Sequence, residues 1–313
     1  MKDVVVIVPA GRAGRTVASL LHEVEGLTHA RAHGIIAAGL VRRAGIPVRS
    51  PAERVRTGDT IEARYDPQSR YKMSPPRTKA HGFKVVLEDD DLIVVDKTPG
   101  LLTVPAPGKP DDSLADRVAA RDAARGVRQP RVWVIHRIDR FTSGLVLFAR
   151  TRQAADHLVA QFASRSPLRE YLAMCEGIPE QKERHLVTFL VEDPASLRVR
   201  PTRNAKRGLK AICTYTVERE LRGAALLRVR LETGRRNQIR VQLAHHGHPL
   251  IGDRTYGRES DQIGRVALHA ARLAFVHPRT GKPVRVESPL PRDMTALLRR
   301  LSPRKEDTGG SVA

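Results

Sequence analysis

Residues 132–150 read VWVIHRIDRFTSGLVLFAR, two apolar runs on either side of a charged loop. The runs 132–135 and 145–148 are short, apolar and rich in β-branched residues, the pattern of strands buried on both faces. A loop held between two such strands sits at the rim of a rigid sheet, where catalytic side chains are commonly carried. Asp139 stands in that loop between Arg137 and Arg140, whose charges favour the ionised carboxylate. Thr142, Ser143 and Gly144 can turn the chain into the second strand. On these residues alone the stretch also describes a salt-bridged structural corner, and both readings stand at this point.

Working outward, residues 152–164 place Ala155, Leu158, Val159 and Phe162 along one helical face. Residues 114–124 read as another helix. Leu227, Val229 and Leu231 alternate with Arg228, Arg230 and Glu232, as in a half-exposed strand. Residues 236–246 suit a helix stopped by Gly247, with His245 and His246 near its C-terminal dipole. Upstream, 85–87 and 92–95 flank the acidic turn 88–91 as a hairpin. Strands and helices mixed without a βαβ repeat predict an α+β fold with a mixed, mainly antiparallel sheet.

The N-terminus reads differently. A short apolar stretch at 4–10 predicts a first strand. Val17, Leu20, Leu21 and Val24 mark one helix; Thr28 caps a second, with Ala32, Ile35 and Ile36 inward and Gly39 as its stop. Residues 40–41 and 46–48 predict a hairpin, 57–59 a turn, and Ile61, Ala63 and Tyr65 a last strand. The predicted organisation is a small basic unit over 1–66, a Pro-rich linker over 67–82, a larger domain over 83–302 and a frayed tail over 303–313.

Lysine and arginine total 55 against 34 acids, a formal net charge of +21. Such an excess points to a polyanionic partner, because neutralised phosphates release counterions, although an arginine-rich proteome would leave the same mark. Aromatic residues at 4% are too few for a long single-strand stacking platform. No apolar run approaches the ~18 residues of a membrane span, so no membrane partner is expected and the cytoplasm is. Cys175 and Cys213 read as small buried residues in a reducing compartment. The run Asp89–Asp91 and the group His245, His246, His248 invite a metal reading; a solvated turn and helix capping explain them more simply.

Beyond the opening stretch, several further motifs follow one another in order. They are DLIVVDKTPGLLTVP (91–105), REYLAMCEG (169–177), GRRNQIRVQLAHHGHPLIGDRTYG (234–257) and LHAARLAFVHP (268–278). With HRIDRFTSG (136–144) they closely resemble the RluA-type pseudouridine synthases over about 83–280. Ile138 replaces the usual leucine, Thr98 intervenes between lysine and proline, and Arg169 stands where the family usually has lysine. Asn237 occupies a place often held by histidine. The resemblance implies an enzyme that isomerises uridine in structured RNA without cofactor or metal. The family's essential carboxylate falls on Asp139, its aromatic on Tyr171 and its second-motif arginine on Arg240, expected to pair with Asp139. Two roles are open to Asp139: covalent attack, or removal of a ribose proton.

By the same analogy Arg137 fills the space that a flipped base vacates, and His136, Arg140 and Arg235 are expected at the RNA. The acid-free stretch 198–210, with Arg203, Lys206 and Arg207, reads as a backbone contact, or equally as a solvated basic loop. The N-terminal unit resembles an S4 RNA-binding domain, more loosely, with Arg31 its expected RNA contact. Large ribosomal RNA is the expected substrate, with transfer RNA as the alternative, and a monomer the expected state. A non-catalytic RNA-binding or ribosome-assembly protein would not need Asp139, Tyr171 and Arg240 together. A nucleoside glycosidase would need a second carboxylate, which no motif supplies.

Overall fold

The structure, a computed structural model, describes residues 1–48, 53–69, 82–105, 112–127, 130–194, 196, 198–258, 260 and 262–303. The chain forms two compact units, Met1–Ala80 and His81–Ala313. Of the expected linker, residues 70–81 lie outside the described residues, as do 304–313 of the expected tail.

The first unit runs β1 (Lys2–Ile7), α1 (Val17–Glu25), α2 (His29–Ala37), β2 (Val41–Arg43), β3 (Ile46–Pro47) and β4 (Thr60–Tyr65). Its antiparallel sheet has the order β1-β4-β2-β3. Thr16 and Thr28 cap the two helices by accepting from the backbone N–H of Ser19 and Arg31. The β2–β3 turn is tighter than expected, only Ala44 and Gly45, both at positive φ, which matches the twist of a two-residue hairpin. Val17, Leu20, Leu21, Ile35, Ile36, Val41 and Ile61 are buried together as one core.

The second unit comprises β5 (Phe83–Glu88), β6 (Leu92–Lys97), α3 (Leu114–Ala124), β7 (Trp133–Val134), β8 (Ser143–Ala149), α4 (Arg152–Ala163) and β9 (Leu168–Glu176). It continues with β10 (Glu183–Glu192), β11 (Val199–Thr202), β12 (Leu209–Leu221), β13 (Ala224–Leu231) and α5 (Gln238–His245). It closes with β14 (Leu268–Val276), β15 (Pro283–Glu287) and α6 (Arg292–Leu301). The sheet order is β11-β10-β12-β13-β9-β14-β8-β6-β5, with β15 on β14 and β7 on β8. Among the described strands only β14 and β8 pair in parallel, so the fold is α+β with a mainly antiparallel sheet.

Two sequence expectations need correction. The run before the charged loop is not a buried strand: β7 spans two residues and Val134 is exposed. The reason lies in β8. One edge of β8 is taken along its length by β6, and the other is shared between β14 at its start and β7 at its end. On α4, Val159 points outward and Ala154 joins Ala155 and Leu158 inside. Successive helical residues differ by about 100°, so Val159 stands beyond the edge of a stripe that straddles Leu158.

Glycine is required at one point of β8. Gly144 has φ +112°, and an added Cβ would stand 2.2 Å from the backbone oxygen of Ala270. Only a residue without Cβ lets β8 and β14 meet directly behind the charged loop.

Candidate active site

The loop carrying Asp139 is held by its backbone on both sides of that residue. Before it, Thr103 Oγ1 accepts from Ile138 N (3.2 Å) and donates to Ile138 O (2.8 Å). After it, Arg140 O accepts from Gly100 N (2.8 Å) and from Lys97 Nζ (3.1 Å). Lys97 is fully buried and also donates to the carbonyls of Thr98 and Leu101. Burial pulls its ammonium down to about 7, against the attraction of Asp139. Lys97 stands in the 91–105 motif with no role legible there; its one signal is a lysine directly after a run of buried strand residues.

Tyr171 comes from β9, where Arg169, Tyr171, Ala173 and Cys175 share the inward face. Burial pushes its phenol up to about 12, with Arg169 lowering it and Asp139 raising it further. The hydroxyl is therefore protonated at neutral pH.

Arg240 comes from α5, and that helix is oriented by two buried glutamines one turn apart. Gln238 binds Ile212 O, Thr233 Oγ1 and Arg235 N, while Gln242 donates to Ala211 O and Thr188 Oγ1. With that face pinned to β10 and β12, Arg240 projects the other way. Its strongest partner is one the sequence did not suggest. Asp253, whose carboxylate is fully buried, takes Nε and Nη2 at 2.7 Å each, a bidentate pair. Asn237 accepts from Nη1 at 2.9 Å, and Asp139 Oδ2 lies 3.4 Å from the same nitrogen. Arg240 thus faces Asp139 as expected, but it is held in place by Asp253. The Tyr256 ring lies 5.1 Å below the guanidinium, and its hydroxyl accepts from Asn237. Both newly recognised partners belong to the GDRTYG segment, legible as a motif but not as a clamp.

Asp139, Tyr171, Asn237 and Arg240 line one cavity of about 400 Å³, within the range of small-ligand sites. Its walls include Arg137, Asp139, Thr142, Phe162, Arg169, Tyr171, Arg235, Arg236 and Arg240. Arg137 is exposed at the rim. Arg235 donates to Lys210 O there.

Other expected RNA contacts are placed differently. His136 is in the cavity lining, but its ring is turned to the scaffold: Nε2 accepts from Leu147 N at 3.1 Å and the ring stacks on Phe162. Burial, then Arg169, pulls it down to about 3, so it offers RNA no positive charge. Arg140 is exposed outside the cavity lining, with Nε on Gly100 O. In the first unit Arg31 donates to the carbonyls of Asp66, Pro67 and Ser69, which engages its Nη2. Arg203, Lys206 and Arg207 are exposed on the β11–β12 loop.

The acidic turn does gather Asp89, Asp91 and His277. The chain's own groups answer them: Arg279 holds both Asp91 oxygens at 2.5 Å and His277 Nε2 lies 2.9 Å from Asp89. Cys175 and Cys213 are buried and unbridged.

A carboxylate facing a clamped arginine, beside a buried tyrosine in a basic cavity, suits carbohydrate-carbon chemistry on a polyanion. The comparisons give the class. Residues 91–245 match the family model for RNA pseudouridylate synthase. The chain belongs to the RNA pseudouridine synthase family, as its resemblance to the RluA-type members implied. It is 34% identical over 305 residues to the ribosomal large subunit pseudouridine synthase D of Zymomonas mobilis, covering 93% of each chain. A second relative of that name, from Xylella fastidiosa, is 34% identical over 94% of this chain and 91% of its own. Among solved structures, human RNA pseudouridylate synthase domain containing 4 shares the fold, with a TM-score of 0.58 and 20% identity. That match covers 69% of this chain and 92% of the human one.

Proposed function

We propose that the protein converts uridine to pseudouridine in large-subunit ribosomal RNA, with Asp139 as the essential carboxylate. The observation that carries this is the placement of Asp139: its backbone is anchored on both sides while its side chain faces the cavity, 3.4 Å from Arg240. The substrate reading is supported by the two relatives named above, both ribosomal large subunit pseudouridine synthases matched over more than nine-tenths of either chain.

The chemistry breaks C1′–N1, turns the base and joins C1′ to C5. It needs no redox partner and no group donor, so no cofactor is invoked. Asp139 acts at the ribose, Arg240 faces and aims it, and Tyr171 stacks on the base with its hydroxyl available for proton movement at C5. Arg137, exposed at the rim, is suited to occupy the gap in the RNA stack, and Arg235 to meet the backbone. The β11–β12 loop, with Arg203, Lys206 and Arg207, adds a phosphate contact. The first unit serves as an S4-like RNA-binding module, and the protein works in the cytoplasm as a monomer. No described helix is long and apolar enough to cross a membrane.

The test is a pseudouridine map of ribosomal and transfer RNA from wild-type and Asp139→Ala cells. Large-subunit sites lost in the variant, with protein level unchanged, are the expected result. An unchanged map would overturn the catalytic reading, and loss confined to transfer RNA would move the substrate.

A further inference from the structure

One buried cation in the cavity wall has no place in that scheme. Arg169 lies two residues before Tyr171 on the same face of β9, is 8% exposed and lines the same cavity. Among the described residues its guanidinium makes one hydrogen bond, Nη2 to Glu232 O at 2.9 Å. The Phe162 ring lies 5.5 Å from its central carbon and offers no further acceptor. Nε is buried without a partner. Nη1 also has no partner among the described residues, yet it is not among the sealed-off atoms, so it opens toward the cavity.

The neighbouring chain is shaped around that nitrogen. A Cβ on Gly234 would stand 2.8 Å from Arg169 Nη1, so the absence of a side chain there makes room for the guanidinium. A buried cation with unused donors is poorly solvated and gains from a partner that brings negative charge. Burial already pulls its proton affinity below that of a free arginine.

Strand register orders the groups along the cavity wall. Tyr171 pairs with Ala270, which itself pairs with Gly144 at the end of the charged loop, whereas Arg169 pairs with Leu273, further along β14. Arg169 therefore lies beyond Tyr171 as seen from the end of that loop. If Asp139 addresses the ribose and Tyr171 carries the base, the group reaching Arg169 is the base edge distal to the sugar.

Resting on the functional reading above, we propose that Arg169 Nη1 donates to a uracil carbonyl oxygen and stabilises the negative charge on the detached base. When C1′–N1 breaks, its electron pair passes to N1 and spreads onto O2 and O4. The charge is discharged when C5 bonds to C1′, the C5 proton leaves and N1 takes up a proton. A preorganised cationic donor stabilises such a transient anion more than it stabilises neutral uracil. Arg169 would thus accelerate the cleavage step and contribute little to RNA affinity.

The test compares wild type with Arg169→Lys and Arg169→Met, and with Gly234→Ala, whose methyl would displace Nη1 without removing the charge. Substrates are an rRNA fragment with uridine at the target and the same fragment with 5-fluorouridine there. Cleavage is followed as loss of the N1-linked nucleotide. With uridine, kcat is expected to fall about 10²–10³-fold in Arg169→Met, while KM and RNA affinity change less than about threefold; Gly234→Ala moves in the same direction. Fluorine helps the departing base carry charge, so the defect should shrink several-fold with 5-fluorouridine. Equal defects on both substrates would mean a structural role and overturn the proposal. So would a loss confined to KM, which would mark a phosphate contact. Thermal melting separates misfolding, and Arg169→Lys retains the charge should Arg169→Met fail to fold. A wild-type protein that forms no pseudouridine would sink the functional reading itself, a different result from an active wild type with unaffected variants.

Discussion

Arg240 shows how the sequence can point to one contact of a residue while the contact that holds it stays hidden. The motif placed it opposite Asp139, and the geometry agrees at 3.4 Å, yet the bidentate pair at 2.7 Å belongs to Asp253. Asp253 is 1% exposed, so removing its carboxylate strands a largely buried guanidinium. Breaking a buried pair in this way costs about 3–5 kcal/mol. Asp253→Ala should therefore lower unfolding free energy by about that much in denaturant titrations. It should also lose activity without Asp139 being touched, because Arg240 is no longer aimed. Asp253→Asn, which keeps the shape and one acceptor, should fall between. A variant as stable and active as wild type would mean Asn237 and Tyr256 hold Arg240 alone. Thirteen residues separate the partners, and no periodicity carries a loop aspartate back under a helix. The pair emerges only when the loop after α5 folds, whereas the charged loop around Asp139 was legible from local pattern and Tyr171 only through the family resemblance.

At the level of elements, the end of the β5–β6 hairpin is clamped by charge. Glu88 receives Arg121 through both nitrogens at 2.8 and 2.9 Å, Arg125 at 2.7 Å and Arg150 at 2.8 Å. Arg121 in the last turn of α3, Arg125 at its C-cap and Arg150, the residue after β8, are thereby tied to one carboxylate, beside the buried Asp122. Arg121 above all, against the cost of burial, holds Glu88 well below the usual carboxylate range. A depressed carboxylate binds its proton less readily in the folded chain than in the unfolded one. Its stabilisation is therefore fully present above the unfolded value of 4.5 and drains away as pH falls below it. Glu88→Gln should be less stable than wild type near neutrality, with the two converging as acid unfolding proceeds. Parallel curves at every pH would show that the clamp contributes shape and no charge. The acidic run 88–91 was legible as a turn, and its helix partners were legible as helices. Their convergence was not, since Glu88 and Arg150 are brought together by the β6–β8 pairing across the sheet. Strand order has the same character. The alternation that marked β13 says nothing of its neighbours β12 and β9.

Over the whole molecule the charge of +21 is the broadest signal in the sequence and the least local. Acids answer many of the cations, as the clamps on Arg240, Arg121 and Arg150 show. Partner binding therefore depends on which cations remain exposed. Arg203, Lys206 and Arg207 sit on an exposed loop within a stretch that contains no acid from 198 to 210. They lie outside the cavity lining, so they can contribute affinity without entering the chemistry. Each phosphate neutralised adds about 0.7–0.9 to the slope of log affinity against log salt. Replacing all three by serine should flatten the slope by about two, weaken rRNA binding most at low salt and leave single-turnover kcat at saturating RNA unchanged. Filter binding of an rRNA fragment across a salt series reads the slope directly. An unaltered slope would return the loop to the solvated reading, and the excess charge that steers RNA to Asp139 would have to lie on the rim with Arg137, Arg235 and Arg236.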